Sequence, residues 1–237
     1  SIVVDLFQGQ LRNQLSCKEC GHVNVKFEPF MYLSLPISDS CETVEDCLSL
    51  FCEEEELSGD NQWYCGKCKK LVDAVKKHDL WTLPPVLIVH LKRFKSSGRG
   101  RMRSKIERCI RYPVKDWTLK TVSTRSGAGG IYNLYAMANH HGGIMGSGHY
   151  TACCMNRLND VWYKFNDIKR EPILDEEKIS NNADAYVLFY NRMERNEPTG
   201  DTSRTIVRRQ SISRPHLWPH MQVSNAEFRE FCRSSSS

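Results

Sequence analysis

Two C-x-x-C sequences constrain the fold of this chain more than any other feature. Cys17 and Cys20 form the first pair, and Cys65 and Cys68 form the second. Each C-x-x-C turn presents two thiolates to one point, so two turns supply the four ligands of a tetrahedral zinc ion. Residues 21–64 separate the pairs, more than in an ordinary zinc ribbon. The sequence therefore predicts a structural zinc site at the tips of two hairpins, with an insertion between them.

The cysteine content also bears on the cellular compartment. The chain has eleven cysteines, and its first residues lack the basic and long apolar segments of a signal peptide. Cysteines in reducing compartments bind metal or take part in chemistry more often than they form disulfides. We therefore expect an intracellular protein, cytoplasmic or nuclear, whose paired cysteines hold zinc. The alternatives to zinc binding by the paired cysteines are a redox role and incidental burial. No run of about 18 apolar residues is present, so membrane insertion is not expected.

The charge of the chain is unevenly distributed. The net charge of +5 includes +8 from residues 92–111 and +3 from residues 195–237, which leaves −6 on the remainder. A basic loop can bind nucleic acid, but such loops are more often simply solvated, so we expect no nucleic-acid partner.

The last part of the chain has the composition of a disordered segment. Hydrophobic periodicity stops after Met193, and residues 195–237 are polar, basic and interrupted by proline. Within this predicted disordered tail, Arg209, Ser213 and Pro215 match the spacing of a phosphoserine docking site for an adaptor protein. Short motifs in disordered tails often arise by chance, which is the alternative.

Apolar patterning predicts a mixed fold of helix and strand. Residues 84–94, PPVLIVHLKRF, contain an apolar run typical of a strand covered on both faces. Residues 43–51 have apolar side chains at helical spacing, with Thr43 and Asp46 in the positions of a capping box. Strands are also predicted at residues 27–37, 131–140, 149–156, 161–165 and 185–192, the third and fourth of these forming a hairpin.

A histidine after a glycine-rich turn is the clearest indication of catalysis. His149 follows residues 146–148, GSG, and opens a predicted strand, while Asn166 ends the strand predicted to pair with it. An asparagine amide can accept a hydrogen bond from an imidazole N–H and fix the ring, as in cysteine–histidine–asparagine proteases. Asp167 could do so with a full charge. The residues alone leave open that His149 is a structural histidine.

No nucleophile accompanies this pair in the sequence. Cys153 lies four residues beyond His149 on the same strand, about 13 Å away at the rise of a strand. A nucleophile and its base have to lie within hydrogen-bond reach. Cys154 points to the opposite face, and Ser147 lacks a strained nucleophile turn. We therefore expect this chain alone to be catalytically inactive.

Taken together, the motifs resemble one protein family. In chain order, the C-x-x-C pairs, PPVLIVHLKRF, NHHGGIMGSGHYTACCMN, WYKFND and AYVLFY resemble the ubiquitin-specific proteases over about residues 3–192. The resemblance implies an α+β fold of the papain-like cysteine protease superfamily. Zinc-bearing β fingers are expected at about residues 1–80 and a β palm at about residues 81–194, without the helical thumb that carries the family's nucleophilic cysteine.

The resemblance also assigns roles to individual residues. His149 matches the general base, Asn166 the third triad position and Asp167 the adjacent acid. The positions expected to bind the C-terminal tail of ubiquitin are Asn139, His140, Gly148 and Tyr150. His141 stands where a tyrosine is expected, which is a departure from the family pattern.

The activity implied by the resemblance is hydrolysis of the isopeptide bond after ubiquitin's C-terminal glycine. This chain would be the C-terminal part of such a cysteine-type deubiquitinase, and its expected partners are ubiquitin or ubiquitinated proteins. The alternative is an inactive pseudo-deubiquitinase, a zinc-stabilised module that binds ubiquitin or another protein.

Overall fold

Antiparallel strands make up most of the structure, a computed structural model that describes residues 1–94, 104–123, 129–144 and 147–193. The strands of these ranges are β1 Gly9–Cys17, β2 Val23–Phe30, β3 Leu33–Leu35, β4 Glu55–Leu57, β5 Trp63–Cys65, β6 Lys70–Val72, β7 Ala74–Thr82, β8 Val86–Leu91, β9 Trp117–Leu119, β10 Gly130–Ile144, β11 Ser147–Asn156, β12 Val161–Asn166, β13 Lys169–Ile173 and β14 Ala185–Arg192. The helices are α1 Ile2–Phe7, α2 Val44–Cys52 and α3 Glu177–Ser180, with a 3-10 turn at Gly59–Asn61. The mixed content confirms the predicted α+β class.

The largest sheet contains eight strands and carries the main core. Its order is β13-β12-β11-β10-β14-β8-β3, and β9 pairs with β10. The β3–β8 pair is parallel, and the other pairs are antiparallel. In β8, Leu87, Val89 and Leu91 are fully buried, whereas the alternate residues Val86 and Ile88 are only half-buried. The prediction that β8 is covered on both faces is therefore confirmed for the face that holds the core cluster, whereas the other face is only partly covered.

The helix α2 begins as its sequence predicts. The backbone N–H of Asp46 donates to Thr43 Oγ1 over 3.1 Å, and the N–H of Thr43 donates to Asp46 Oδ2 over 2.9 Å. This capping box satisfies two backbone donors that the first turn of a helix leaves unpaired. Val44 and Cys47 then face the core of the large sheet.

A second sheet of four strands, in the order β2-β1-β7-β4, carries the first cysteine pair at one end. The segment between the cysteine pairs leaves this sheet after β2, adds β3 and α2 to the large sheet, and returns as β4. The predicted insertion is therefore confirmed. The predicted strand at residues 27–37 is wrong as one element, because Phe30 pairs with Gly9 in the small sheet and Leu33 pairs with Val89 in the large one.

Several predictions concern residues outside the described ranges. Most of the basic loop, residues 95–103, and the whole predicted tail with Ser213 lie there. The expected boundaries at about residue 80 and at residue 194 stay predictions. Within the described ranges, no helix has both the length and the apolar character needed to cross a membrane.

Candidate catalytic and metal sites

The two strands predicted to form a hairpin bring His149 and Asn166 together. Ala152 of β11 pairs with Phe165 of β12, so the end of β12 lies beside the start of β11. His149 Nε2 lies 2.6 Å from Asn166 Oδ1. Because a side-chain carbonyl oxygen only accepts, Nε2 carries the hydrogen and Nδ1 keeps its lone pair. A ring in this state can act as a base at Nδ1.

Asp167, the predicted adjacent acid, does not bond the imidazole of His149. Asp167 has a left-handed backbone, with φ of 52°, in the turn between β12 and β13. Aspartate tolerates this region better than most residues. Among the described residues, the Asp167 carboxylate makes no hydrogen bond to His149, so of Asn166 and Asp167 only Asn166 bonds the ring.

A second histidine lies directly opposite the first. His141 of β10 pairs with His149 of β11, and the two rings are stacked with centroids 6.5 Å apart and planes at 26°. His141 Nδ1 lies 2.8 Å from Asp184 Oδ2, and His141 Nε2 lies 2.8 Å from Thr151 Oγ1. From the sequence, His141 was only a departure from the family pattern, and neither of its partners was predicted.

Asp184 is also paired with a lysine from a distant part of the chain. Lys105 Nζ donates to Asp184 Oδ1 over 2.8 Å and also to the backbone oxygen of His140, and the Lys105 side chain is 3% exposed. Burial raises the pKa of Asp184, but Lys105 and His141 outweigh it and hold that pKa below its usual value. This carboxyl therefore stays ionised behind the two histidines.

The four predicted substrate-binding residues differ in exposure. Asn139 is buried, and its side-chain amide is hydrogen-bonded to Thr151 and Asn182. His140 is also buried, packed edge-on against Tyr150 with ring centroids 4.9 Å apart, and burial lowers its pKa. Tyr150 is 37% exposed. The role of the four residues in binding stays a prediction. Of Asn139, His140 and Tyr150, Tyr150 is the most accessible.

Gly148 has a steric reason to be glycine. A Cβ atom at this position would lie 2.5 Å from the backbone oxygen of His141 and 2.6 Å from His140 Nε2. Contacts this short exclude any larger residue unless the neighbouring strand moves. Gly148 thus permits the close approach of β10 and β11 next to His149.

Five of the six described thiols outside the paired cysteines have a raised pKa, which is the opposite of what a nucleophile needs. Burial raises the pKa of Cys47 to about 12 and that of Cys52 and Cys154 to about 11. Burial likewise raises the pKa of Cys109 and Cys153. Catalytic thiols need a lowered pKa. Within the ranges that the structure describes, no thiol is hydrogen-bonded to His149.

The paired cysteines converge as the sequence predicts. All four Sγ atoms of Cys17, Cys20, Cys65 and Cys68 lie within 4.8 Å of one another. The Cys17–Cys68 and Cys20–Cys65 sulfur distances are 3.9 and 3.8 Å. A tetrahedron with metal–sulfur bonds of about 2.3 Å has edges of about 3.8 Å. The spacing therefore fits a tetrahedral ion, and the cluster can hold a metal such as zinc.

Local backbone geometry supports the convergence of the thiols. The N–H of Cys20 donates to Cys17 Sγ over 3.4 Å, and the N–H of Cys68 donates to Cys65 Sγ over 3.5 Å. The first turn joins β1 to β2, and the second joins β5 to β6. The residue after each pair, Gly21 or Lys69, is left-handed. The two knuckles thus lie at the tips of hairpins.

Comparison with known sequences identifies the family of this fold. Residues 1–190 match the family model described as ubiquitin carboxyl-terminal hydrolase. Ubiquitin carboxyl-terminal hydrolase 2 of Gallus gallus is 42% identical over 193 residues, a match covering 80% of this chain and 53% of that protein. Its namesake in Homo sapiens is 38% identical over 194 residues, covering 80% of this chain and 31% of that protein.

Solved structures give the same result. The Ubp8/Sgf11/Sus1/Sgf73 DUB module of SAGA bound to ubiquitin aldehyde contains a similar chain, with a TM-score of 0.69 and 31% identity, covering 83% of this chain and 43% of that one. A second structure, of a yeast SAGA DUB module, has a TM-score of 0.71 and 32% identity, covering 82% and 43%. This chain spans about half or less of each of these relatives.

Proposed function

Because the chain belongs to the ubiquitin carboxyl-terminal hydrolase family, we propose that it forms the C-terminal part of the catalytic domain of a cysteine-type deubiquitinase. The proposed reaction is hydrolysis of the isopeptide bond after the C-terminal glycine of ubiquitin. The observation that carries this proposal is the 2.6 Å contact between His149 Nε2 and Asn166 Oδ1 in a chain of this family. The proposed partners are ubiquitin and ubiquitinated proteins.

The proposed mechanism is acyl transfer through a thiol. Asn166 holds the Nε2–H of His149, so Nδ1 takes the thiol proton and the thiolate attacks the terminal glycine carbonyl. The His149 imidazolium then protonates the leaving lysine amine, and a water that His149 deprotonates releases ubiquitin from the acyl-enzyme. The thiol in this mechanism comes from outside the described residues, because none of the described thiols is hydrogen-bonded to His149.

The metal proposed for the four-cysteine cluster is zinc, in a structural role. Four thiolates close a tetrahedral shell and leave no position for a reacting water. The sulfur spacings of 3.8 and 3.9 Å support this ion. The zinc ion then stabilises the two hairpins that hold it, at the ends of β1 and β5. It takes no part in the chemistry at His149.

A binding role without catalysis is the second candidate function. The observation that favours it is the absence, among the described residues, of a thiol within hydrogen-bond reach of His149. In that case the zinc-stabilised sheets bind ubiquitin, and the pair of His149 and Asn166 is present but catalyses no reaction. Binding and hydrolysis are separable by experiment, because a binder retains affinity for ubiquitin and releases no product.

Two finer proposals concern the cell and the predicted tail. We place the protein in a reducing compartment, cytoplasmic or nuclear, because clusters of four free thiols are typical of such compartments. Phosphorylated Ser213 would bind an adaptor through the motif that includes Arg209 and Pro215. A Ser213→Ala variant that retains all adaptor binding would exclude this second proposal.

The proposed function is tested by hydrolysis of a fluorogenic C-terminal amide of ubiquitin with the full-length protein. Asn166→Ala should lower kcat by about 10- to 100-fold, because the base loses its orienting partner. The matched control is Asn159→Ala, an exposed asparagine in the turn of the same hairpin, which should change kcat less than twofold. A wild-type protein that binds ubiquitin but releases no fluorophore would instead support the binding role.

A further inference from the structure

A hydrogen-bonded framework beside His149 plays no part in the proposed mechanism. It consists of His141, Asp184, Lys105, Thr151 and Asn139. We propose that His141 is a positioning residue, whose fixed ring holds the imidazole of His149 against Asn166. This inference rests on the proposed function for its kinetic consequence, but its structural content is independent of that function.

The rings of His141 and His149 lie next to each other on neighbouring strands. His141 and His149 are direct cross-strand partners, so both side chains lie on the same face of the sheet. Their stacked rings leave His149 flanked by His141 on one side, and its Nε2 faces Asn166 Oδ1. His149 is itself exposed. An exposed histidine otherwise samples several rotamers, so the hydrogen bond to Asn166 and the neighbouring ring of His141 together restrict its orientation.

Hydrogen bonds at both nitrogens fix the ring of His141 in one orientation. The Asp184 carboxylate only accepts, so His141 Nδ1 donates to it. Nε2 is hydrogen-bonded to the hydroxyl of Thr151, which is 4% exposed. That hydroxyl in turn accepts from Asn139 Nδ2 over 3.3 Å. Each group in this series of hydrogen bonds thus has a partner, and rotating the His141 ring would break two of the bonds.

The framework is anchored by a buried lysine. Lys105 is almost fully buried, and its ammonium group bonds both Asp184 and the backbone oxygen of His140. Asp184 is 38% exposed, but its hydrogen bond to the ammonium group is charge-assisted and therefore stronger than one between neutral groups. Lys105 also balances the charge of Asp184.

The kinetic test compares two substitutions of one residue in the full-length protein. Thr151→Val keeps the shape of the side chain but removes the hydroxyl that bonds His141, whereas Thr151→Ser retains the hydroxyl. We expect Val to lower kcat about tenfold with KM unchanged, since a small displacement of a catalytic group costs this much or more. Ser should restore kcat to within about twofold of wild type. Equal losses in both variants would overturn the inference.

A second variant and a second readout cover a failure of Thr151→Val to fold. His141 is only half-buried, and His141→Ala should lower kcat by about 10- to 100-fold. In protein labelled with 15N at histidine, NMR should show His149 as the Nε2–H tautomer in wild type and as a mixture of tautomers in both Thr151→Val and His141→Ala. Unchanged tautomers together with unchanged kcat would refute the positioning role.

The same measurements separate this inference from the proposed function. If the wild-type protein hydrolyses no ubiquitin amide, the proposed function fails, and the tautomer of His149 alone decides the positioning role. If the wild type is active and both variants retain full kcat and the wild-type tautomer, the positioning role fails and the proposed function stands.

Discussion

Removal of one ligand from the four-cysteine cluster should release the β5–β6 hairpin. The apolar core of this hairpin is small, consisting of buried Val72 and half-buried Trp63 beside the cysteines. Burying a valine contributes about 1.5–3 kcal/mol, whereas ordering ten backbone residues, 63–72, costs about 10–20 kcal/mol. Binding of zinc by a site of this kind contributes about 10–16 kcal/mol, which closes the difference. The Cys65→Ser variant should therefore lose both the zinc and the order of the hairpin.

The assay measures zinc content and hydrogen exchange on the full-length protein. Wild type should contain one zinc per four-cysteine cluster and show slow exchange in β5 and β6. In Cys65→Ser, zinc should fall to near zero and exchange in residues 63–72 should become fast, while exchange in β8 stays slow. Cys52→Ser is the matched control, a half-buried cysteine outside the cluster. A hairpin that stays protected after zinc is lost would refute the reasoning.

Three further predictions concern stability, each measured by urea unfolding. Thr43→Ala removes an acceptor from the capping box of α2 and should lower the free energy of unfolding by about 1 kcal/mol; no loss would mean that packing alone holds α2. Leu87→Ala, in the core of β8, should cost about 2–5 kcal/mol, and clearly more than Ile88→Ala on the half-buried face; equal losses would contradict the burial pattern. Burial lowers the pKa of His90 to about 4, below the ordinary value near 6.5, so between these values the unfolded state binds more protons. The free energy of unfolding should therefore be greatest above about pH 6.5 and fall by about 3 kcal/mol towards pH 4; the same slope in His90→Asn would refute this assignment.

The metal cluster was predictable from sequence because its ligands come in local pairs. A C-x-x-C turn brings two thiols together within four residues, and only the meeting of the two turns depends on the fold. The capping box of α2 was predictable for the same reason, since Thr43 and Asp46 are three residues apart. Features formed by short segments thus follow from residue spacing alone.

The pairing of His149 with Asn166 was predictable because one hairpin carries both residues. Its turn, near Asp160, is short, so the two strands had one simple way to pair. The division of residues 27–37 between two sheets was not predictable. An alternating pattern indicates that a strand has a buried face, but it does not indicate which sheet the strand joins.

The framework around His141 was hidden from sequence reasoning for a physical reason. Lys105 and Asp184 approach His141 from separate parts of the chain, and each is an ordinary charged residue in its own segment. Their meeting depends on how β10, β14 and the segment around Lys105 are arranged in space. Apolar patterning does not encode that arrangement. An anomaly at His141 was visible, but its partners were not.

The central claim is that His149 and Asn166 serve a cysteine-type ubiquitin hydrolase. It is tested most directly by treating the full-length protein with ubiquitin that carries a C-terminal electrophile and measuring its mass. We expect a covalent adduct one ubiquitin heavier in wild type and its loss in His149→Ala, because the thiol then lacks its base. A folded, ubiquitin-binding wild-type protein that forms no adduct would contradict the claim, as would an adduct that forms equally fast in His149→Ala.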